Sequence, residues 1–162
     1  MKNESSPVSI FMLMANDVVA FDGKRTRAPE IYQLMMENQC WDLMEQTPHR
    51  SKMKPGDTFV FYLGGSKARY IAGEAKLAGE IYRISDESPI TFDREQIPYF
   101  TLRAPLTDIK AYDPQKTDID TIAKLSFFKN STVERKYIGL LLRNGVRKLS
   151  KKDLQFIRKR VD

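Results

Sequence analysis

The segment from Ser9 to Ala15 is apolar and unbroken, as a buried strand is, and Asn16 and Asp17 end it. A polar, basic stretch over residues 22–27 predicts a loop. Pro29 suits the first turn of a helix, and Ile31, Leu34 and Met35 follow at helical spacing. A short amphipathic helix is therefore expected over 29–38. Lys54-Pro-Gly-Asp57 is a turn signal, and Thr58-Phe-Val-Phe-Tyr-Leu63 directly after it has strand composition. Gly64-Gly65-Ser66 predicts a second turn. Arg69 to Ile84 predicts a long strand or a bent strand pair, with Gly73 and Gly79 marking bends or close backbone approach. Tyr99 to Ile109 is another strand, interrupted at Pro105, which places that end at a sheet edge.

The last third changes character. Thr117 to Leu125 reads as helical, and Phe127, Phe128, Tyr137, Ile138 and Leu140 to Leu142 supply core residues. Ser150-Lys-Lys-Asp153 resembles a capping box opening a final helix, with Leu154, Ile157 and Val161 as its apolar stripe. No repeat, low-complexity tract or linker divides the chain. Strands in the middle and helices around them predict one α+β domain over residues 1–162, built on a curved sheet or small barrel.

Composition narrows the class. Apolar residues are 41% and charged residues 30%, a balance that folds rather than staying disordered. The single cysteine, Cys40, leaves no intrachain disulfide and no multi-cysteine metal site. A reducing, cytoplasmic setting fits. No apolar signal-peptide core follows the amino terminus, and Ile10 to Ala15, the longest apolar stretch, is too short to span a bilayer. No membrane partner is expected. The formal charge of +6 sits in the last twenty residues, where eight Lys and Arg face only Asp153 and Asp162. Such an asymmetry attracts phosphates, although a solvated helix face accounts for it equally well.

Catalytic chemistry finds little footing. His49 is the only histidine, beside Pro48 and Arg50, and reads as a surface loop residue. No phosphate-binding glycine loop is present, and neither a metal nor a cofactor is implied. Glu74 and Glu80 could share a strand face, but ion pairing with Lys76 or Arg83 explains them more simply. Trp41, the only tryptophan, sits in the polar run Glu37-Asn-Gln-Cys-Trp-Asp42. It has two readings, a core-packing side chain or a loop indole near Arg50, Lys52 and Lys54. In the second role it would stack on a base, worth roughly 1–3 kcal/mol.

Four blocks together resemble the EVE domains, which belong with the YTH domains in the PUA-like superfamily. They are Ile10-Phe-Met-Leu-Met-Ala-Asn16; Cys40-Trp41 followed by Met53-Lys-Pro-Gly-Asp-Thr-Phe-Val-Phe-Tyr62; Ile97-Pro-Tyr-Phe-Thr-Leu102; and Leu125-Ser-Phe-Phe-Lys-Asn130 with Leu141-Leu-Arg143 and Val146-Arg-Lys-Leu-Ser150. Their order and spacing span nearly the whole chain. The resemblance implies a pseudo-barrel with flanking helices and a non-catalytic module that recognises a modified base, held out of its stack in an aromatic pocket. Trp41 falls at the family's cage tryptophan. Asn16 falls where a polar group touches the base edge. Asp42 stands where related domains often carry a small hydroxyl residue, which alters the hydrogen bonding there. Tyr99, Phe61 and Tyr62 are the options for a second wall, and strand alternation lets only one of Phe61 and Tyr62 face it.

Arg50, Lys52, Arg143, Lys148 and Lys151 are the expected phosphate contacts, which would make binding salt-dependent. The implied partner is DNA or RNA carrying a modified base. Prokaryotic relatives occur beside or fused to restriction machinery, so defence components are further expected partners. Three other readings stand beside this one, the first a structural one in which the basic tail is a protein-docking surface whose binding survives high salt without nucleic acid. A general PUA-like RNA-binding module would show no preference for modified bases. An amidohydrolase on modified nucleosides, as in the ASCH group, would need a constellation such as Lys76 with Glu74.

Overall fold

The computed structural model describes residues 8–64, 69–126 and 145–162. Strand β1 (Ile10–Ala15) comes first among the described residues. A small hairpin, β2 (Val18–Val19) with β3 (Arg25–Thr26), occupies the expected basic loop. Helix α1 (Ala28–Glu37) follows, one residue earlier than predicted at each end. Pro29 lies in its first turn, where the missing N–H costs nothing. Then come β4 (Cys40–Leu43), a 3₁₀ turn at Arg50–Lys52, and β5 (Thr58–Leu63).

The Arg69–Ile84 segment is a bent pair, β6 (Tyr70–Leu77) and β7 (Tyr82–Arg83). Gly73 marks a close approach, because a Cβ there would collide with the Lys110 carbonyl and the Tyr32 hydroxyl. The next strand, β8 (Leu102–Ala111), runs straight through Pro105. Up to Pro105 it pairs with β4, and from Leu106 onward with β6. Proline's missing donor therefore falls where β8 changes neighbours, and the expected strand end is a handover instead. Asp108, with φ of 53°, sits where the β6–β8 register shifts. Helix α2 (Ile119–Ala123) follows a 3₁₀ turn at Pro114–Lys116. The chain closes with β9 (Val146–Leu149) and α3 (Lys151–Val161). Ser150 and Asp153 form the capping box that the sequence predicts for α3. Gly65, Ser66 and the core residues expected between 127 and 142 lie outside the described residues.

Among the described residues the main sheet has seven strands, in the order β4-β8-β6-β5-β1-β9, with β7 also on β8. It is mixed, since β1 and β5 are parallel and their other neighbours antiparallel, and it curls into a half-barrel. Both faces are covered, which explains the unbroken apolar runs. Phe11, Leu13 and Ala15 of β1 and Phe59, Phe61 and Leu63 of β5 join a first core with α1 and β4. Ile10, Met12, Val60 and Tyr62 point the other way, into a second core with Ile122, Leu154 and Ile157. Strand alternation thus splits the two runs between two helix layers. Among the described residues no helix is long and apolar enough to cross a membrane.

Candidate functional site

The carboxyl end of β1 opens into a cavity of about 570 Å³ on the α1 side of the sheet. Its walls combine the end of β1 with Asn16 to Val19, the buried face of α1, β4 with the residues after it, Phe92, Tyr99, Phe100, and the start of β9. Four sequence-predicted residues meet here: Asn16, Trp41, Asp42 and Tyr99.

Trp41 is not a loop residue. It lies in β4 and is 5% exposed, so it packs in the first core and lines the cavity at once. Its indole rests on the Phe61 ring, with centroids 4.6 Å apart and a 35° tilt. Phe61 itself is fully buried and stands behind the wall rather than in it. Tyr62, on the other face of β5, belongs to the second core. The facing aromatics come from elsewhere. Phe92 and Phe100 both line the cavity and stack at 5.0 Å. Tyr99 stands at the rim, 38% exposed, and its hydroxyl donates to the Val19 carbonyl at 3.1 Å.

Asn16 is exposed, and among the described residues its side-chain amide has no hydrogen-bond partner. A glycine at position 64 makes room for it, since a Cβ there would stand 2.5 Å from Asn16 Oδ1. Asp17 is engaged: its carboxylate accepts from the Ala28 amide at the start of α1 and pairs with Arg25 at 3.4 Å.

Asp42 is engaged more tightly. Arg103 Nε donates to its Oδ1 at 2.7 Å and Nη2 to its Oδ2 at 3.2 Å, with both side chains almost fully buried. The Thr91 hydroxyl donates to the same carboxylate, and Arg103 also reaches the Pro89 carbonyl at 2.7 Å. Burial alone would lower the Arg103 pKa, but the Asp42 carboxylate outweighs it and holds the guanidinium charged. Cys40, next to the pair, has its thiol pushed up to about 12 by burial and by the Asp42 charge. A thiol held that high stays protonated at neutral pH, whereas the thiolate is the form that attacks or binds metal. Among the described residues no group of three His, Cys, Asp or Glu could hold a metal.

The basic residues separate. Lys148 pairs with Phe11 across β1 and β9, on the same sheet face as the cavity residues Leu13 and Val146. Lys52 is exposed at the end of the 3₁₀ turn. Arg50 is held there by the Glu45 carbonyl at 2.6 Å. Lys151 opens α3, which packs on the second core, away from the cavity. Arg143 lies outside the described residues. His49 is exposed, as expected of a surface loop residue. Glu74 pairs with Arg158 at 2.6 Å, not with Lys76 or Arg83. Lys76 meets Asp108 and Arg83 meets Glu45. Neither Glu74 nor Lys76 lines the cavity.

Sequence reasoning missed Arg103, Thr91, Phe92 and Phe100. One signal pointed to Arg103. A lone cation in the apolar stretch Leu102-Arg-Ala-Pro-Leu106 demands a buried carboxylate partner.

The family model of the EVE domain matches residues 3–160. The chain belongs to the EVE domain family. No curated protein sequence matches this EVE domain. Three solved structures place its fold. The N-terminal domain of Staphylothermus marinus McrB is 13% identical with a TM-score of 0.57, covering 98% of both chains. The YTH domain of Zygosaccharomyces rouxii MRB1, in complex with N6-methyladenosine RNA, is 9% identical with a TM-score of 0.56, covering 98% of this chain and 90% of that one. Human THYN1, in complex with DNA containing 5-methylcytosine, is 15% identical with a TM-score of 0.54, covering 95% and 98%. At these identities the likeness is one of fold. The curled sheet of this EVE domain is the PUA-like architecture that the resemblance implied.

Proposed function

We propose that this EVE domain is a non-catalytic nucleic-acid-binding module that takes one modified, methylated base into the cavity lined by Trp41. The observation that carries the reading is the pairing of a buried, Phe61-backed indole with an unpartnered amide, Asn16, at the edge of the same cavity. The volume of about 570 Å³ falls within the range of small-ligand sites. Extruded bases are read by stacking between aromatic or apolar side chains and by hydrogen bonds to their edges. Trp41 supplies one stacking face, and Phe92, Phe100 and Tyr99 supply the apolar wall that suits a methyl group. Asn16 offers both a donor and an acceptor to the base edge. Asp42, already bound by Arg103, positions the Trp41 strand rather than reading the base. Lys148 and Lys52 are the phosphate contacts.

The absence of catalysis is supported by the state of the carboxylates in the wall. Asp17 and Asp42 are both committed to internal partners, so neither is free to act as a base. The two neighbours solved with methylated DNA and with N6-methyladenosine RNA support the ligand class. A restriction or defence setting, with partners to match, belongs to the same proposal through the EVE resemblance.

The test uses Trp41 as its own reporter, since it is the only tryptophan. Oligonucleotides carrying methylated cytosine, hydroxymethylated cytosine, methylated adenine or no modification are titrated against its fluorescence. Trp41→Ala, checked for folding by circular dichroism, is then compared by anisotropy of labelled oligonucleotides. The variant should lose discrimination between modified and plain strands while keeping weak, salt-sensitive binding. Equal loss for both strands would contradict the cage assignment.

A further inference from the structure

An aromatic residue stands outside the cavity with no task in the reading above. Phe21 is 69% exposed, on the hairpin formed by β2 and β3. A single exposed apolar side chain is ordinary in itself, and it is the setting of Phe21 that sets it apart. It is also held in place. Its backbone N–H donates to the Gln96 carbonyl at 3.0 Å, and its ring meets Tyr99 edge-on with centroids 6.2 Å apart. Tyr99 in turn lines the cavity and is fastened to Val19 of the same hairpin. Phe21 is therefore a pre-set ring one aromatic step outside the cavity.

The charge around it indicates what would cover it. The hairpin and the residue after it carry Lys24, Arg25 and Arg27 against Asp22, with Arg25 paired to Asp17 at 3.4 Å. Lys24 and Arg25 are exposed. An apolar ring on a hairpin with an excess of cations suits a nucleotide, whose base has a π-face and whose phosphate is anionic. It suits an apolar protein surface poorly, because the cations would have to be desolvated.

We propose that Phe21 is a second stacking position, which receives the base next to the one held in the cavity. The inference rests on the base-binding reading of the cavity and deepens it. The domain then reads at least two consecutive nucleotides, one inside and one on the rim, with the hairpin cations beside the intervening phosphate.

The experiment is a cycle in which protein and ligand are both altered. Four ligands are compared by calorimetry: a free modified nucleoside, a short single strand with the modified base at its centre, and two versions of that strand with an abasic site on one side or the other of that base. Each is titrated into the wild type and into Phe21→Ala. The residue is exposed, so the variant should fold normally, and Phe21→Tyr serves as a conservative control. Phe21→Ala should leave nucleoside binding unchanged and weaken the intact strand about 5- to 150-fold. The abasic neighbour on one side should weaken wild-type binding by a similar factor and weaken Phe21→Ala no further. Phe21→Tyr should bind like the wild type.

Additive losses from the abasic site and from Phe21→Ala would overturn the inference while leaving the cavity reading intact. So would an equal loss for the free nucleoside, because Phe21 would then merely support the cavity. Failure of every modified strand and nucleoside to bind the wild type would instead sink the cavity reading itself.

Discussion

Asp42→Asn tests the wall of the cavity most directly, because it changes charge and almost nothing else. In the wild type the carboxylate takes two donors from Arg103, at 2.7 and 3.2 Å, with the two side chains 1% and 2% exposed. Asparagine keeps the shape but presents an uncharged amide, with N–H groups turned toward a guanidinium and a hydroxyl that both donate. Arg103 is left as a buried, uncompensated charge. Breaking a buried pair in this way costs about 3–5 kcal/mol. Arg103 keeps its bond to the Pro89 carbonyl and its contact with Thr91, which places the expected loss near the lower end, about 3 kcal/mol. For a domain of this size that lowers Tm by about 6–12 °C. With an m value of about 2 kcal/mol/M in urea, the midpoint falls by about 1.5 M.

Urea unfolding followed by Trp41 fluorescence is the natural assay, since Trp41 adjoins Asp42 in the chain. A double variant, Asp42→Asn with Arg103→Met, supplies the control. It should be more stable than the sum of the two single losses, because the stranded cation is gone. A loss under about 1 kcal/mol, the scale of an exposed ion pair, would refute the argument. So would strict additivity in the double variant, since the two side chains would then not be coupled.

The other expectations concern acid stability and salt. Burial would raise the Glu74 pKa, but Arg158 and the Tyr112 hydroxyl outweigh it and hold the carboxyl below its ordinary range. Its contribution to stability is then complete above the unfolded value, about 4.3, and is lost as pH falls through the lower folded value. Glu74→Gln should therefore lower the urea midpoint at pH 7, and the gap to the wild type should close at the acid end of a pH 2–7 series. A gap that widens toward low pH would show the sign to be wrong. Lys148→Ala should lower the slope of log affinity against log salt by about one, whereas Lys159→Ala, on α3 at the far face, should leave it unchanged.

The sequence announced the parts of the fold whose causes are local. The apolar runs of β1 and β5, the proline at the start of α1 and the Ser150–Asp153 box each act within a few residues, and each element appears where expected. What depended on distant partners was less legible. Cys40 to Leu43 looked polar and loop-like because Asp42 interrupts it. The strand forms there because Arg103, 61 positions away, neutralises that carboxylate inside the core. The same pairing separates the two readings of Trp41, which is a core residue and a cavity residue together. The candidate site divides the same way. Asn16, Trp41 and Tyr99 could be singled out from the family pattern, whereas the stacked Phe92 and Phe100 lie in a segment with few regular elements and gave no periodic signal.

The cavity wall is assembled from pieces of chain that begin near Leu13 and end at Val146. No fragment of the sequence contains it. Each piece must wait for a long loop to close before it gains its neighbours, and such closures are entropically costly and slow. On the base-binding reading proposed above, recognition requires the folded chain. A nascent or partly melted chain would carry the basic segments but lack the discriminating cavity. On the same reading, such a chain would bind nucleic acid without selectivity, and selectivity would report on the fraction of folded molecules.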